Sequence, residues 1–361
     1  MHFPFLPLLA VISCLVCAES FSQENYSTEL PENFAELSSD VQAVILEYVF
    51  FSEKANQVWG DDYEESSVRT FVKYLDDFHT RVYIDFDAGL IRVETQGSKT
   101  PVTSLRHAIA ATLLTPADPS AVDLYTAADM GITGKPFLAG QVLDHDGKVI
   151  EYPWRANRFA EYLTDHKLKK SGARYWVNIP MVRSHRQKSA GRYRGLAQQA
   201  GDKYRVSVPL IMAIMETESS FNPFAVSHAG AYGLMQVMQS TAGKDVFQRI
   251  YRRHDKPGRN YLLNPANNID TGTAYLSILR DVYLRDVQGW LKKEYCMIAA
   301  YNGGTGNLLK TFSSDRRQAI ARINRMSADE VYQAIVRRHP KAESRNYLKK
   351  VTQFKRRYVS W

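Results

Sequence analysis

Ser207-Val208-Pro209-Leu210-Ile211-Met212-Ala213-Ile214-Met215-Glu216-Thr217-Glu218-Ser219-Ser220-Phe221-Asn222-Pro223 reads as one short helix that closes on a carboxylate. Ser207 suits an N-cap, and Pro209 is tolerated in a first turn, whose N–H groups have no intrahelical partner. Leu210, Ile211, Ile214 and Met215 form an apolar stripe. Glu218 lies seven residues after Ile211, four after Ile214 and three after Met215, so it continues that face at the helix end. Glu216 sits about 200° around the axis from it and is expected in solvent. A carboxyl at the lip of a core loses hydration, which disfavours its charged form and raises its pKa. A general acid working near neutral pH needs that property. The competing reading of Glu218 is a helix-terminal carboxylate bonded to backbone amides, and spacing alone does not separate the two.

Further along, Ser227-His228-Ala229-Gly230-Ala231-Tyr232-Gly233-Leu234-Met235-Gln236 is small and glycine-rich and ends in an amide. Ala300-Tyr301-Asn302-Gly303-Gly304 pairs an aromatic ring with an amide before two glycines. Glycines let a backbone approach a ligand closely. Aromatic faces stack on pyranose rings, and amides bond hydroxyl and acetamido groups.

Taken in order, these elements resemble the lytic transglycosylases of bacterial cell walls, whose catalytic domain is similar to goose-type lysozyme. The family pattern is matched by Glu218-Ser219-Ser220-Phe221-Asn222-Pro223, Ser227, Gly233-Leu234-Met235-Gln236, Ala300-Tyr301-Asn302-Gly303-Gly304 and the late Glu343-Ser344-Arg345-Asn346-Tyr347. Asn268-Ile269-Asp270 with Gly272 and Tyr275-Leu276 fits the family's helix after the substrate groove. The match spans roughly 190–350. The N-terminal half resembles the membrane-bound lytic murein transglycosylase C type, which sets an α+β domain before the catalytic one.

The resemblance implies non-hydrolytic cleavage of the β-1,4 bond between N-acetylmuramic acid and N-acetylglucosamine, leaving 1,6-anhydro ends. It implies Glu218 as the catalytic acid and base, and Ser227 and Asn302 as holders of the acetamido group. Met235, Gln236, Tyr301 and Tyr347 would line the groove and keep Glu218 oriented. No cofactor or metal is implied. Two-carboxylate glycosidases divide the work between residues, whereas one carboxylate suffices for this lyase route. A hydrolytic muramidase on the same fold and an inactive peptidoglycan-binding module are the alternatives.

The sequence has 361 residues, and single cores stop growing near ~250–300. Ordinary hydrophobic and charged fractions, 45% and 23%, exclude a disordered chain and a multi-span membrane protein. Residues 1–190 hold 18 Lys and Arg against 25 Asp and Glu, a net −7; residues 191–361 hold 28 against 13, a net +15. A basic module suits an acidic polymer. No nucleic-acid motif accompanies the basic residues, so a cell-wall polymer is expected rather than nucleic acid.

Asp40 to about Trp59 has helical periodicity, and Val82–Phe86 with Leu90–Glu94 alternates around Asp87-Ala88-Gly89 as a hairpin. Ser104–Leu114 reads as a helix and Tyr175–Ile179 as a strand. Phe137–Leu143 and Lys148–Tyr152 read as a second hairpin around Asp144-His145-Asp146-Gly147. Beyond the basic cluster at Arg183–Arg194 the pattern is helical, with no alternating strand. The expected fold is an α+β N-terminal domain followed by a mainly α, lysozyme-like catalytic domain. The expected divisions are a signal at 1–18, a linker at 19–40, an accessory domain at 41–187 and the catalytic domain at 188–361.

Phe3–Ala18 is almost wholly apolar and fits a secretory signal. Val11-Ile12-Ser13-Cys14 fits a relaxed lipobox, which would lipidate Cys14 and anchor the chain to the outer membrane. Val16-Cys17-Ala18 fits a cleavage site that would release a soluble periplasmic protein. Cys296, in an apolar run, is expected as a core residue, and three cysteines give no disulfide framework.

Overall fold

The computed structural model describes residues 35, 39–118, 135–227 and 229–360. The expected signal with Cys14, and nearly all of the expected linker, lie outside them. Two compact units emerge, one of Met1–Ser189 with Asn222–Gly233, the other of Ala190–Phe221 with Leu234–Trp361.

In the first unit, α1 (Ser39–Trp59) precedes β1 (Thr70–Leu75), β2 (Thr80–Asp85) and β3 (Leu90–Gln96). Then follow α2 (Pro101–Leu113), α3 (Pro153–His166), β4 (Lys169–Ser171) and β5 (Arg174–Pro180). The strands form one antiparallel sheet in the order β1-β2-β3-β5-β4. Side chains alternate across a strand, and β1 uses both faces. Phe71 and Leu75 join the core with Leu105 and Ile109 of α2 and Phe159 and Leu163 of α3. Val72 and Tyr74 face Phe51, Ala55 and Trp59 of α1 instead. The β2–β3 turn forms as read: Asp85 accepts the N–H groups of Asp87 and Ala88. Gly89 follows at φ +66°, where a Cβ would lie 2.6 Å from the His185 ring.

Residues 222–233 belong to this unit although their sequence neighbours do not. The Phe224 ring lies 4.5 Å from Phe71 and 5.0 Å from Phe137 between centroids. The Asn222 amide donates to Val68 O at 3.3 Å. A hydrophobic side chain six residues past Glu218 is thus part of the N-terminal core.

The expected second hairpin does not form. Leu143 and Val149 make a single antiparallel bridge, because the Asp144 carboxylate takes over the local hydrogen bonding. It accepts from the N–H groups of Asp146 and Lys148 and from Arg155 at 2.6 Å. These bonds hold its pKa below the usual carboxylate range against the opposing effect of burial.

The boundary between units falls within α4 (His185–Tyr204). The second unit continues with α5 (Val208–Ser219), α6 (Lys244–Arg249), α7 (Arg259–Leu263) and α8 (Pro265–Ile278). It closes with α9 (Trp290–Gly303), α10 (Thr305–Lys310), α11 (Arg316–Arg325), α12 (Ala328–Arg338) and α13 (Ala342–Tyr358). Among the described residues, strand structure here is confined to Val237–Met238. Ser207 takes the N-cap place of α5, but its side chain makes no capping bond; its carbonyl accepts from Leu210 and Ile211. Every residue from Leu210 to Thr217 is buried. α5 is therefore a central helix rather than a striped surface one, and α13 packs along it. Cys296 is a core residue, its thiol pushed up to about 12 by burial.

Candidate active site

Glu218 is half-buried in the last turn of α5. The helix stops there because Ser220 and Phe221 take left-handed backbone angles, φ +52° and +62°. The Ser220 N–H closes the turn on Glu216 O. Ser219 supports this end: its buried Oγ lies 3.0 Å from Met215 O and 2.9 Å from Leu234 O. One hydroxyl therefore joins the helix terminus to the Gly233-Leu234-Met235-Gln236 segment.

Tyr347, on the first turns of α13, donates its hydroxyl to Glu218 Oε1 at 2.7 Å. The phenol is buried, and both that burial and the neighbouring Glu218 hold its pKa far above the ordinary tyrosine value. It stays a donor at any working pH. Tyr301 is in the same state for the same two reasons, burial first. Its hydroxyl donates to Met235 O at 2.8 Å, and its ring meets Tyr275 at 5.7 Å.

Met235 is held on three sides. Its N–H donates to Asn268 Oδ1 at 2.8 Å, its carbonyl accepts from Tyr301, and its side chain packs on Gly272. A Cβ at Gly272 would stand 2.6 Å from the Met235 sulfur. The Met235 side chain is fully buried, so it props the segment from beneath. Gln236 follows, half-buried, at φ +47°.

Asn302 is fixed by α13. Its Nδ2 donates to Glu343 Oε1 at 3.0 Å, and its Oδ1 accepts from Ser344 Oγ at 2.6 Å. Gly303 makes that approach possible: a Cβ there would fall 2.5 Å from Ser344 Oγ and 2.7 Å from the His339 ring. Glu218, Met235, Tyr301 and Tyr347 are thus brought together directly, and Asn302 joins through the helix that carries Tyr347. Ser227 lies in the segment that belongs to the first unit. There its Oγ accepts from Ala231 N at 3.0 Å, and its N–H donates to Ala231 O at 2.9 Å.

Glu216 is not in solvent. It is 2% exposed; Oε1 accepts from Arg357 at 2.5 Å and Oε2 from Tyr358 at 2.7 Å. The face expected outward is the one α13 covers. The supporting roles of Asn268, Glu343, Ser344, Arg357 and Tyr358 were not read from sequence. For Asn268, Glu343 and Ser344, the family motifs that contain them are the available signal; for Arg357 and Tyr358 there is none.

The family model for the N-terminal domain of membrane-bound lytic murein transglycosylase C matches residues 38–192. The transglycosylase SLT domain model matches 195–324. A curated membrane-bound lytic murein transglycosylase C from Salmonella paratyphi B is 49% identical over 316 residues, covering 85% of this chain and 87% of its own. The one from Klebsiella pneumoniae strain 342 is 48% identical with the same coverage. Among solved structures, the 70 kDa soluble lytic transglycosylase of Escherichia coli is 27% identical at a TM-score of 0.36, over 46% of this chain and 24% of that one.

Proposed function

The chain belongs to the membrane-bound lytic murein transglycosylase C family, and from that premise we propose that Glu218 performs both proton transfers of its reaction. The protein is a peptidoglycan lytic transglycosylase, cleaving glycan strands without water. One observation carries the assignment: Glu218, the half-buried carboxylate that opens the matched Glu-Ser-Ser-Phe-Asn-Pro motif, accepts from the buried, protonated Tyr347 hydroxyl at 2.7 Å.

Protonated Glu218 gives its proton to the glycosidic oxygen as the bond to the muramic anomeric carbon breaks. The resulting carboxylate takes the proton of the muramic 6-hydroxyl, and that oxygen closes on the anomeric carbon. The proton count returns to its start, so no water and no second carboxylate enter. Glu216 is not available for a second role, since Arg357 and Tyr358 occupy both its oxygens. Tyr347 fixes one oxygen of Glu218 and turns the other toward substrate, the kind of orientation that general acid–base catalysis requires. Tyr301 and Asn268 set the Met235–Gln236 backbone along the groove. Asn302, locked by Glu343 and Ser344, keeps one amide hydrogen and one acceptor lone pair for the acetamido group. Residues 41–187 form the accessory module and 188–361 carry the chemistry. The test is muropeptide analysis of digested sacculi: anhydro ends are expected, and reducing ends alone would transfer the protein to the muramidases.

Attachment to the outer membrane is through lipidated Cys14. The support is the Val11–Cys14 pattern and the membrane-bound name of the relatives; among the described residues no helix is long and apolar enough to cross a membrane. Metabolic labelling with a fatty-acid probe is expected to mark the native chain and to miss Cys14→Ser, which should appear in the soluble fraction. Equal labelling of both would remove the anchor from Cys14.

A further inference from the structure

A second cleft, about 580 Å³, opens in the C-terminal unit, and none of the residues assigned to the reaction lines it. Its floor is apolar, from Leu196 and Ala200 of α4 and Ala266 of α8. Its walls are two partly exposed tyrosines, Tyr251 and Tyr261. Both rings are immobilised by Phe247, which each meets edge to face, at 5.4 and 5.3 Å between centroids. The Tyr251 hydroxyl is further tied to Asp270, which also accepts from Tyr204 and Lys203, both at 2.8 Å.

The polar lining is of two kinds. The charged groups are already balanced: Lys203 pairs with Asp270, and Arg253 grips Asp255 through two bonds of 2.9 and 2.5 Å. The side-chain amides of Gln199 and Asn267 make no hydrogen bond to any described residue, although both line the cleft. A polyphosphate would need unpaired cations, and this cleft spends its cations on its own carboxylates. Rigid aromatic faces, an apolar floor and open amides match a sugar ring that carries an acetamido group.

We propose that this cleft is a second glycan-binding site, taking N-acetylated hexosamine units of peptidoglycan separately from the chemistry at Glu218. The proposal rests on the glycan substrate read above. A strand held at two places gains retention by effective concentration, with no change in the bond-breaking step.

The experiment uses the full chain with Gln199→Ala plus Asn267→Ala, and separately Tyr261→Ala and Tyr261→Phe. Loss of the second contact should raise the KM for intact sacculi by about tenfold. Turnover of a short soluble glycan should stay within about twofold. Tyr261→Phe keeps the stacking face and should behave as the native chain. If Tyr261→Ala fails to fold, the amide pair decides, since neither amide supports another group. Chitotetraose added to Glu218→Gln, where it is not consumed, should perturb Tyr261 and the Gln199 amide in NMR spectra. A native sacculus KM in a well-folded Gln199→Ala plus Asn267→Ala chain overturns the proposal. So does an effect that vanishes in 0.5 M salt, which would mark charge attraction instead. Failure of the Glu218 reading looks different: it is lyase activity surviving in Glu218→Gln, whatever the cleft binds.

Discussion

Glu218→Gln is expected to lower turnover of sacculi by at least ~10³-fold while leaving the fold and sacculus binding in place. Each proton transfer by a positioned side chain contributes typically ~10²–10⁴-fold, and in the proposed mechanism one group supplies both. The amide is nearly isosteric and cannot give or take the proton. It keeps an oxygen that can still accept from the Tyr347 hydroxyl, now 2.7 Å from Glu218 Oε1. Melting should therefore shift by no more than about 1 °C, since the bond from Tyr347 survives. Tyr347→Phe separates orientation from chemistry: the acid remains and its support is lost, so kcat should fall by roughly tenfold to a hundredfold. The measurement is release of anhydro-muropeptides with time, beside co-sedimentation with sacculi. Anhydro products at more than a few per cent of the native rate in Glu218→Gln would remove Glu218 from the role.

The arrangement around Glu218 is legible where its signals are local. Glu218 closes a helix whose stop is written in the next residues, and the Gly-Leu-Met-Gln and Ala-Tyr-Asn segments sit at fixed spacing after it. What was not legible came from distance in sequence. Phe224 directly follows the Glu218–Pro223 motif, yet its ring is buried in the N-terminal core with Phe71 and Phe137. β1 and β4 were missed: β1 is buried on both faces, which erases the alternation, and β4 is three residues long. The Asp144 segment reads as a hairpin for the opposite reason. Its apolar flanks resemble strands, but an Asp that bonds its own backbone gives the chain an alternative to a ladder. The helical period also misleads at Glu216. It orients a helix with one wet face, and α5 has none, because α13 returns from more than a hundred residues away to cover it.

The same substitution two residues upstream should therefore act on stability instead of rate. Glu216 is 2% exposed and accepts from Arg357 and Tyr358 through its two oxygens. In Glu216→Gln one oxygen becomes an NH₂: turned to Arg357 it faces a donor, and turned to Tyr358 it makes that hydroxyl give up its own donation to accept, while either way the charge opposite Arg357 is gone. A buried group left unmet costs ~1–3 kcal/mol. Breaking a fully buried ion pair would cost ~3–5 kcal/mol, but the Arg357 side chain is 49% exposed and can recover hydration. About 2 kcal/mol is the reasonable middle, and at ~2–4 °C per kcal/mol for a unit of this size the melting temperature should drop by roughly 4–8 °C. The rate should survive. Tyr358 and Tyr347 are eleven residues apart on α13, about 16 Å along its axis, so loosening the far end of the helix leaves the Tyr347–Glu218 bond in place. Turnover per folded molecule is expected within about threefold of native, and thermal melting alongside the product assay checks both halves. A Glu216→Gln chain that melts normally and releases no anhydro-muropeptide would mean that the pair had been read the wrong way round, with the catalytic carboxylate on the face that α13 covers.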